Sequence, residues 1–275
     1  MQKQTGPMDL LKILEKSNCG ECGEPSCLAF ASAVYQGKRQ LRECPRLSEE
    51  VITQYQDNLA QRKSVDQSME EALAGLKQAV AGTDLAAAAK RLGARYAQGR
   101  LTLSVCGKNV HVDTQGHLSS EIHTHPWLAI PVLTYVLEGE GLPVSGTWVP
   151  FRELKGGAVR AGLFEQRCEK PLKAVADTYT DLFEDMLYVF NGKRVDAPFD
   201  ADISLVLHPL PKVPILFCYW NPEEGLDSSL HIFFDATADR NLPIDGIYAL
   251  IGGLVRMFEK VAQRHGVQVP SAHTG

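Results

Sequence analysis

Asn18-Cys19-Gly20-Glu21-Cys22-Gly23-Glu24-Pro25-Ser26-Cys27-Leu28-Ala29-Phe30, closed further on by Cys44-Pro45, is the stretch around which the rest of the chain is read. Three thiols stand two and four residues apart, and a fourth follows after sixteen more. Gly20 and Gly23 let the backbone wrap closely around a bulky group. Pro25 and Ser26 read as a helix start that puts Cys27 in the first turn, where helix-end N–H groups can face bound sulfur. Leu28, Phe30, Ala31 and Val34 supply an apolar helical face to cover the site. Gly37 ends that helix, and the chain returns to deliver Cys44. Four thiolates under an apolar lid suit a cubane 4Fe-4S cluster held by Cys19, Cys22, Cys27 and Cys44. Structural zinc also takes four cysteines, usually as two close pairs, whereas the last thiol here stands alone. A disulfide framework belongs to small secreted domains, and residues 1–8 show no apolar leader.

Residues 11–50 resemble a known module. It is the N-terminal 4Fe-4S domain of the large subunit of the corrinoid iron–sulfur protein of acetyl-CoA synthesis. A looser version occurs in the B subunit of Rnf-type electron-transport complexes. The resemblance rests on the cysteine spacing, on Gly23-Glu24-Pro25-Ser26 between the second and third thiols, and on Cys44-Pro45. It covers about a sixth of the chain. In that family the module passes electrons to a cobalamin whose cobalt has drifted to the inactive Co(II) state. The resemblance therefore implies electron transfer from a redox donor protein to a corrinoid (cobalamin) centre in anaerobic methyl-transfer metabolism. That centre would be bound by the chain's own C-terminal domain or by a partner, a corrinoid protein or methyltransferase. The remainder of the chain does not resemble that family's cobalamin-carrying barrel. It is similar to an uncharacterised domain often found behind this module in anaerobes. Two other readings stay open: an electron-carrier or adaptor subunit with no second cofactor, and a metal-dependent enzyme using a His-rich segment.

Composition narrows the classes. A chain of 275 residues, 44% hydrophobic and 22% charged, is ordinary for a globular protein of one large or two modest domains. A net charge of −5 gives no electrostatic footprint for nucleic acid. No run of about 18 apolar residues is present, so no membrane span is expected. Seven cysteines, four of them grouped, fit the reducing cytoplasm of an anaerobe.

The organisation expected is a cluster module over 1–47, a linker or linking helix over 48–66, and a corrinoid-binding or docking domain over 67–275. A short helix from Met8 to Lys16, with Leu10, Leu11, Ile13 and Leu14 inward, should pack on the helix after Cys27. Helical signals run from Val65 to Tyr96, split at Gly82, with Asp84 as an N-cap. Leu101–Val105 and Val110–Asp113 alternate strictly and read as a hairpin turned by Gly107-Lys108-Asn109. Leu163 to Phe190 is mostly helical. Ile203–His208, Val213–Trp220 and Leu230–Phe234 read as strands, and Ile244–Arg264 as a final helix burying Ile247, Leu250, Ile251, Leu254, Val255 and Phe258. Consecutive hairpins with helices grouped around them predict an α+β domain with a mainly antiparallel sheet. No glycine fingerprint of a dinucleotide or P-loop site follows any strand.

A second chemistry is suggested by His111, His117, His123 and His125, half of the eight histidines within fifteen residues. Glu121, His123 and His125 are spaced by two, so an extended segment points all three one way. His125 precedes Pro126-Trp127, where a helix should begin. An imidazole can ligate a metal or cap the cobalt of a cobalamin, which makes His123, His125 and Trp127 the candidate corrinoid contacts. The plainer reading is that these histidines satisfy local backbone groups. Cys106, Cys168 and Cys218 read as buried small hydrophobes. His208, Trp220 and His231 should face the core or a ligand cleft, and Asp235 reads as turn chemistry.

Overall fold

The structure is a computed structural model, and it describes residues 6–60, 65–120, 125–196 and 199–264. The chain divides into two compact units, residues 1–72 and residues 73–275. Glu121 and His123 lie outside the described residues, as do positions 61–64 of the expected linker.

The first unit is helical. Helix α1 (Pro7–Ile13) packs on α2 (Cys27–Tyr35), as expected. Leu10 and Leu14 meet Phe30, Ala31 and Val34 in a small core that Leu41 and Ile52 complete. Phe30 is 1% exposed, and its burial contributes roughly 1.5–3 kcal/mol. Leu28 departs from expectation and is exposed. Two residues along a helix turn the side chain by about 200°, so Leu28 cannot share a face with Phe30. A single 3₁₀ turn (Leu41–Glu43) presents Cys44, and α3 (Glu49–Ala60) follows.

Helix α4 (Val65–Ala81) contains the division between the units, and α5 (Leu85–Leu92) begins at Asp84. The Asp84 carboxylate accepts from the Ala86 and Ala87 N–H groups. Gly93 in the left-handed region then stops α5, so the expected helix falls short of Tyr96. Tyr96 instead lies in β1 (Arg95–Ala97), which pairs with β2 (Arg100–Val105), β3 (Lys108–Asp113) and β4 (Leu118–Ser120) in an antiparallel meander. The β2–β3 turn is Cys106-Gly107, one residue earlier than expected. Both have positive φ, 49° and 76°, the geometry that matches the twist of paired strands.

After α6 (Pro126–Glu138) comes β5 (Trp148–Pro150), and then a helical run formed by α7 (Ala161–Phe164), a π turn (Glu165–Glu169) and α8 (Lys170–Thr178). Helix α9 (Thr180–Val189) leads to β6 (Lys193–Arg194), β7 (Ile203–Leu210), β8 (Val213–Trp220) and β9 (Ser229–Asp235). These strands form a second antiparallel sheet in the order β5-β9-β8-β7-β6. The α+β class is thus realised with two antiparallel sheets. One face of the second sheet, through Leu205, Leu207, Ile215 and Phe217, joins the main core. Its other face holds Val206, Leu216 and Cys218 under half-buried Trp148, Trp220 and Phe233.

The chain continues through α10 (Ala238–Asn241) to α11 (Ile244–Arg264). All six residues expected on the inner face of α11 are buried. Among the described residues no helix is long and apolar enough to cross a membrane.

Candidate metal centre

The four clustered cysteines come together. Cys19, Cys22, Cys27 and Cys44 line one pocket with Leu14, Phe30 and Arg46. Gly20 and Gly23, at φ 74° and 81°, carry the loop between the first thiols and the helix. An L-residue at either position would be strained. Ser26 caps α2, its Oγ accepting from the Ala29 N–H at 3.1 Å, which sets Cys27 in the first turn. The Cys44 N–H donates to the Leu41 carbonyl and fixes the returning thiol.

Two features of this pocket were not read from the sequence. The Asn18 N–H donates to Cys27 Sγ at 3.4 Å, while Asn18 Oδ1 accepts from the Cys27 N–H at 2.8 Å. Arg46 donates to Glu21 at 2.7 Å and to Glu15 at 3.3 Å. That hydrogen bond and the guanidinium charge hold Glu21 below the usual carboxylate range.

The donor set fits an iron–sulfur cluster: four thiols, a backbone N–H directed at sulfur, and an apolar side formed by Leu14 and Phe30. Among the described residues no three Cys, His, Asp or Glu side chains are gathered tightly enough to hold one ion. A cubane does not need that, because each thiolate binds its own iron.

In the second unit the histidines are dispersed. His111 Nδ1 is bonded to Thr102 Oγ1 at 2.9 Å, and His117 Nδ1 lies 3.4 Å from Asp113. His125 stands at the entrance of α6, where its Nδ1 accepts from the Trp127 N–H at 3.4 Å. His125 and Trp127 line a common pocket with α11. His208 is exposed rather than in the core. His231 lines a separate cavity, its Nδ1 3.7 Å from Glu169, a residue of the π turn. Cys106, Cys168 and Cys218 are buried, and burial pushes their thiols up to about 12, 12 and 11.

Residues 84–257 match the family described as "Domain of unknown function (DUF3786)". The chain belongs to the DUF3786 family. Ahead of its DUF3786 domain, residues 14–46 match the family described as "Putative Fe-S cluster". This segment is similar to iron–sulfur cluster domains. It is 50% identical over 42 residues to the corrinoid/iron-sulfur protein large subunit of Moorella thermoacetica, covering 15% of this chain and 9% of that protein. It is 44% identical over 48 residues to the acetyl-CoA decarbonylase/synthase complex subunit gamma 1 of Methanosarcina thermophila, covering 18% of this chain and 10% of that protein. The chain thus spans about a tenth of the length of the curated relatives it matches. No solved structure matches.

Proposed function

We propose that this is a 4Fe-4S redox protein that supplies electrons to a corrinoid (cobalamin) centre carried by a partner, in anaerobic methyl-transfer metabolism. Cys19, Cys22, Cys27 and Cys44 hold the cluster. The observation that carries the reading is the convergence of these four thiols on one pocket within the iron–sulfur domain. When bound, the cluster supplies one-electron redox chemistry. The chain's own residues set the conditions for it. Leu14 and Phe30 keep water from one side, the Asn18 N–H withdraws charge from the Cys27 sulfur, and Arg46 adds a positive charge near Cys19. The partners are a redox donor protein and a corrinoid protein or methyltransferase. The curated relatives whose names carry corrinoid and acetyl-CoA decarbonylase/synthase support that choice.

The corrinoid is assigned to a partner because of His125, the described histidine of the expected contact set. Its Nδ1 accepts the Trp127 N–H, which puts the ring proton on Nε2. Binding cobalt through Nε2 would need the opposite tautomer and would cost α6 its cap, about 1 kcal/mol. On this chain cobalamin contact by His123, His125 and Trp127 is therefore the second reading.

Anaerobic reconstitution with iron and sulfide should give broad absorbance near about 400 nm that Cys22→Ala and Cys27→Ala each abolish. Stoichiometric zinc without sulfide in anaerobically purified protein would overturn the cluster. Titrating cobalamin into the wild type should leave its spectrum unchanged. A change that His125→Ala removes would return the corrinoid to this chain.

A further inference from the structure

The pocket beside His125 has a chemistry of its own. It is a cavity of about 360 Å³ where α6 packs against α11, within the size range of small-molecule sites. Its walls are apolar: Trp127, Leu254 and Met257, with the buried Cys106 thiol at one edge. Trp127 reaches its place by lying on Gly253, where any Cβ would run into the indole ring. Glycine inside a helix is unfavourable relative to alanine, so this close approach is what the position needs.

The rim is cationic. Arg256, Lys260 and Arg264 line the same pocket, four residues apart, and so form one stripe along α11. Among the described residues none of the three is paired with a carboxylate. Glu259, their neighbour on α11, is not part of the lining. Three like charges in adjacent turns oppose one another and weaken a helix. An anion held among them would relieve that repulsion, and the apolar walls would take the rest of the same molecule.

We propose that this pocket binds a small amphipathic anion, a slim hydrocarbon body ending in a carboxylate or phosphate. The body lies against Trp127, Leu254 and Met257, and the head sits among Arg256, Lys260 and Arg264. This site is independent of the iron–sulfur centre, and it rests on the reading that a partner carries the corrinoid, because His125 and Trp127 line this same pocket.

Calorimetric titration of the full chain with decanoate, decyl phosphate and decanol tests the assignment and separates the two head groups. At least one anion should bind with one-to-one stoichiometry, and decanol at least about tenfold more weakly. Arg256→Gln and Lys260→Gln should each weaken the bound anion about tenfold, leaving decanol binding unchanged and the thermal midpoint of the free protein no lower. Val261→Trp, which fills the cavity from α11, should remove binding of all three. The proposal fails if neither anion binds the wild type, if decanol binds as tightly as the anions, or if the charge variants bind them like the wild type.

Discussion

Asn18 grips Cys27 from two sides, its backbone N–H on the sulfur and its side-chain oxygen on the Cys27 N–H. The pair ties the loop that carries Cys19 and Cys22 to the first turn of α2. A hydrogen bond to a ligand sulfur lowers its electron density, one of the levers by which a protein tunes a cluster. Asn18 also sits at φ 50°, a conformation that asparagine tolerates better than most residues.

Asn18→Gly should therefore lose only the side-chain bond, while Asn18→Ala loses it and adds backbone strain. The expected order of iron retained after anaerobic gel filtration is wild type, then Asn18→Gly, then Asn18→Ala. The alanine variant should be roughly 1–2 kcal/mol less stable in the first unit. An alanine variant that retains iron as well as the glycine variant would remove the strain argument.

Asp235 predicts a pH dependence. It is fully buried and accepts from Ser145 and Gly146 N–H groups, from the Thr237 N–H and from the Ser145 and Thr237 hydroxyls. Burial alone would raise its pKa, but the donors outweigh it, led by Thr237, and hold the carboxyl below its ordinary 3.8. A depressed folded pKa contributes stability above the unfolded value, and that stability is lost as pH falls through the folded one. Asp235→Asn should cost about 2–4 kcal/mol at pH 7. Urea midpoints of the two proteins should draw together below about pH 4. A gap that stays constant down to pH 3 would mean that charge is not what holds the knot.

The extent of what the sequence carries follows from range. The cysteine pocket was legible because three of its thiols, its glycines and the Ser26 cap act over a few residues, and only Cys44 returns from further along the chain. The same holds for α11, whose apolar spacing is local, and for β7, β8 and β9. What escaped depends on contacts distant in sequence or on backbone detail. Asp235 read as turn chemistry, yet its donors at Ser145 and Gly146 are 90 and 89 residues away. Tyr96 fell to a strand because Gly93 stops α5 early, and the hairpin turn moved because Cys106 takes a positive φ. The cationic rim was invisible until Trp127 met Gly253 across α6 and α11. Chain similarity to the DUF3786 family names no chemistry for that surface.

The second unit should stand alone. It has two sheets and a core that includes Leu205, Ile215, Leu254 and Phe258, all within residues 73–275. A chain truncated to begin at Val65, the start of α4, should keep the helix and strand signature in circular dichroism and melt cooperatively without iron. A truncated chain that is unfolded would make the cysteine module integral to the fold.

Two neighbouring glycines in α11 predict opposite signs for the same substitution. A Cβ at Gly252 meets nothing within 4 Å, so Gly252→Ala should stabilise by about 0.5–1 kcal/mol through helix propensity and a less flexible unfolded chain. A Cβ at Gly253 collides with Trp127. Gly253→Ala gains the same propensity but must displace a large ring from a packed contact, and overpacking of that kind costs about 1–3 kcal/mol. The net effect should be destabilising, with a visible change in tryptophan fluorescence as Trp127 moves. Trp127→Ala removes the obstacle, so in that background Gly253→Ala should turn neutral or stabilising. Thermal melts of the four proteins in this cycle measure the coupling directly. If Gly253→Ala is equally costly with and without the indole, the glycine serves some other contact and the Trp127 floor of the pocket is not what fixes it.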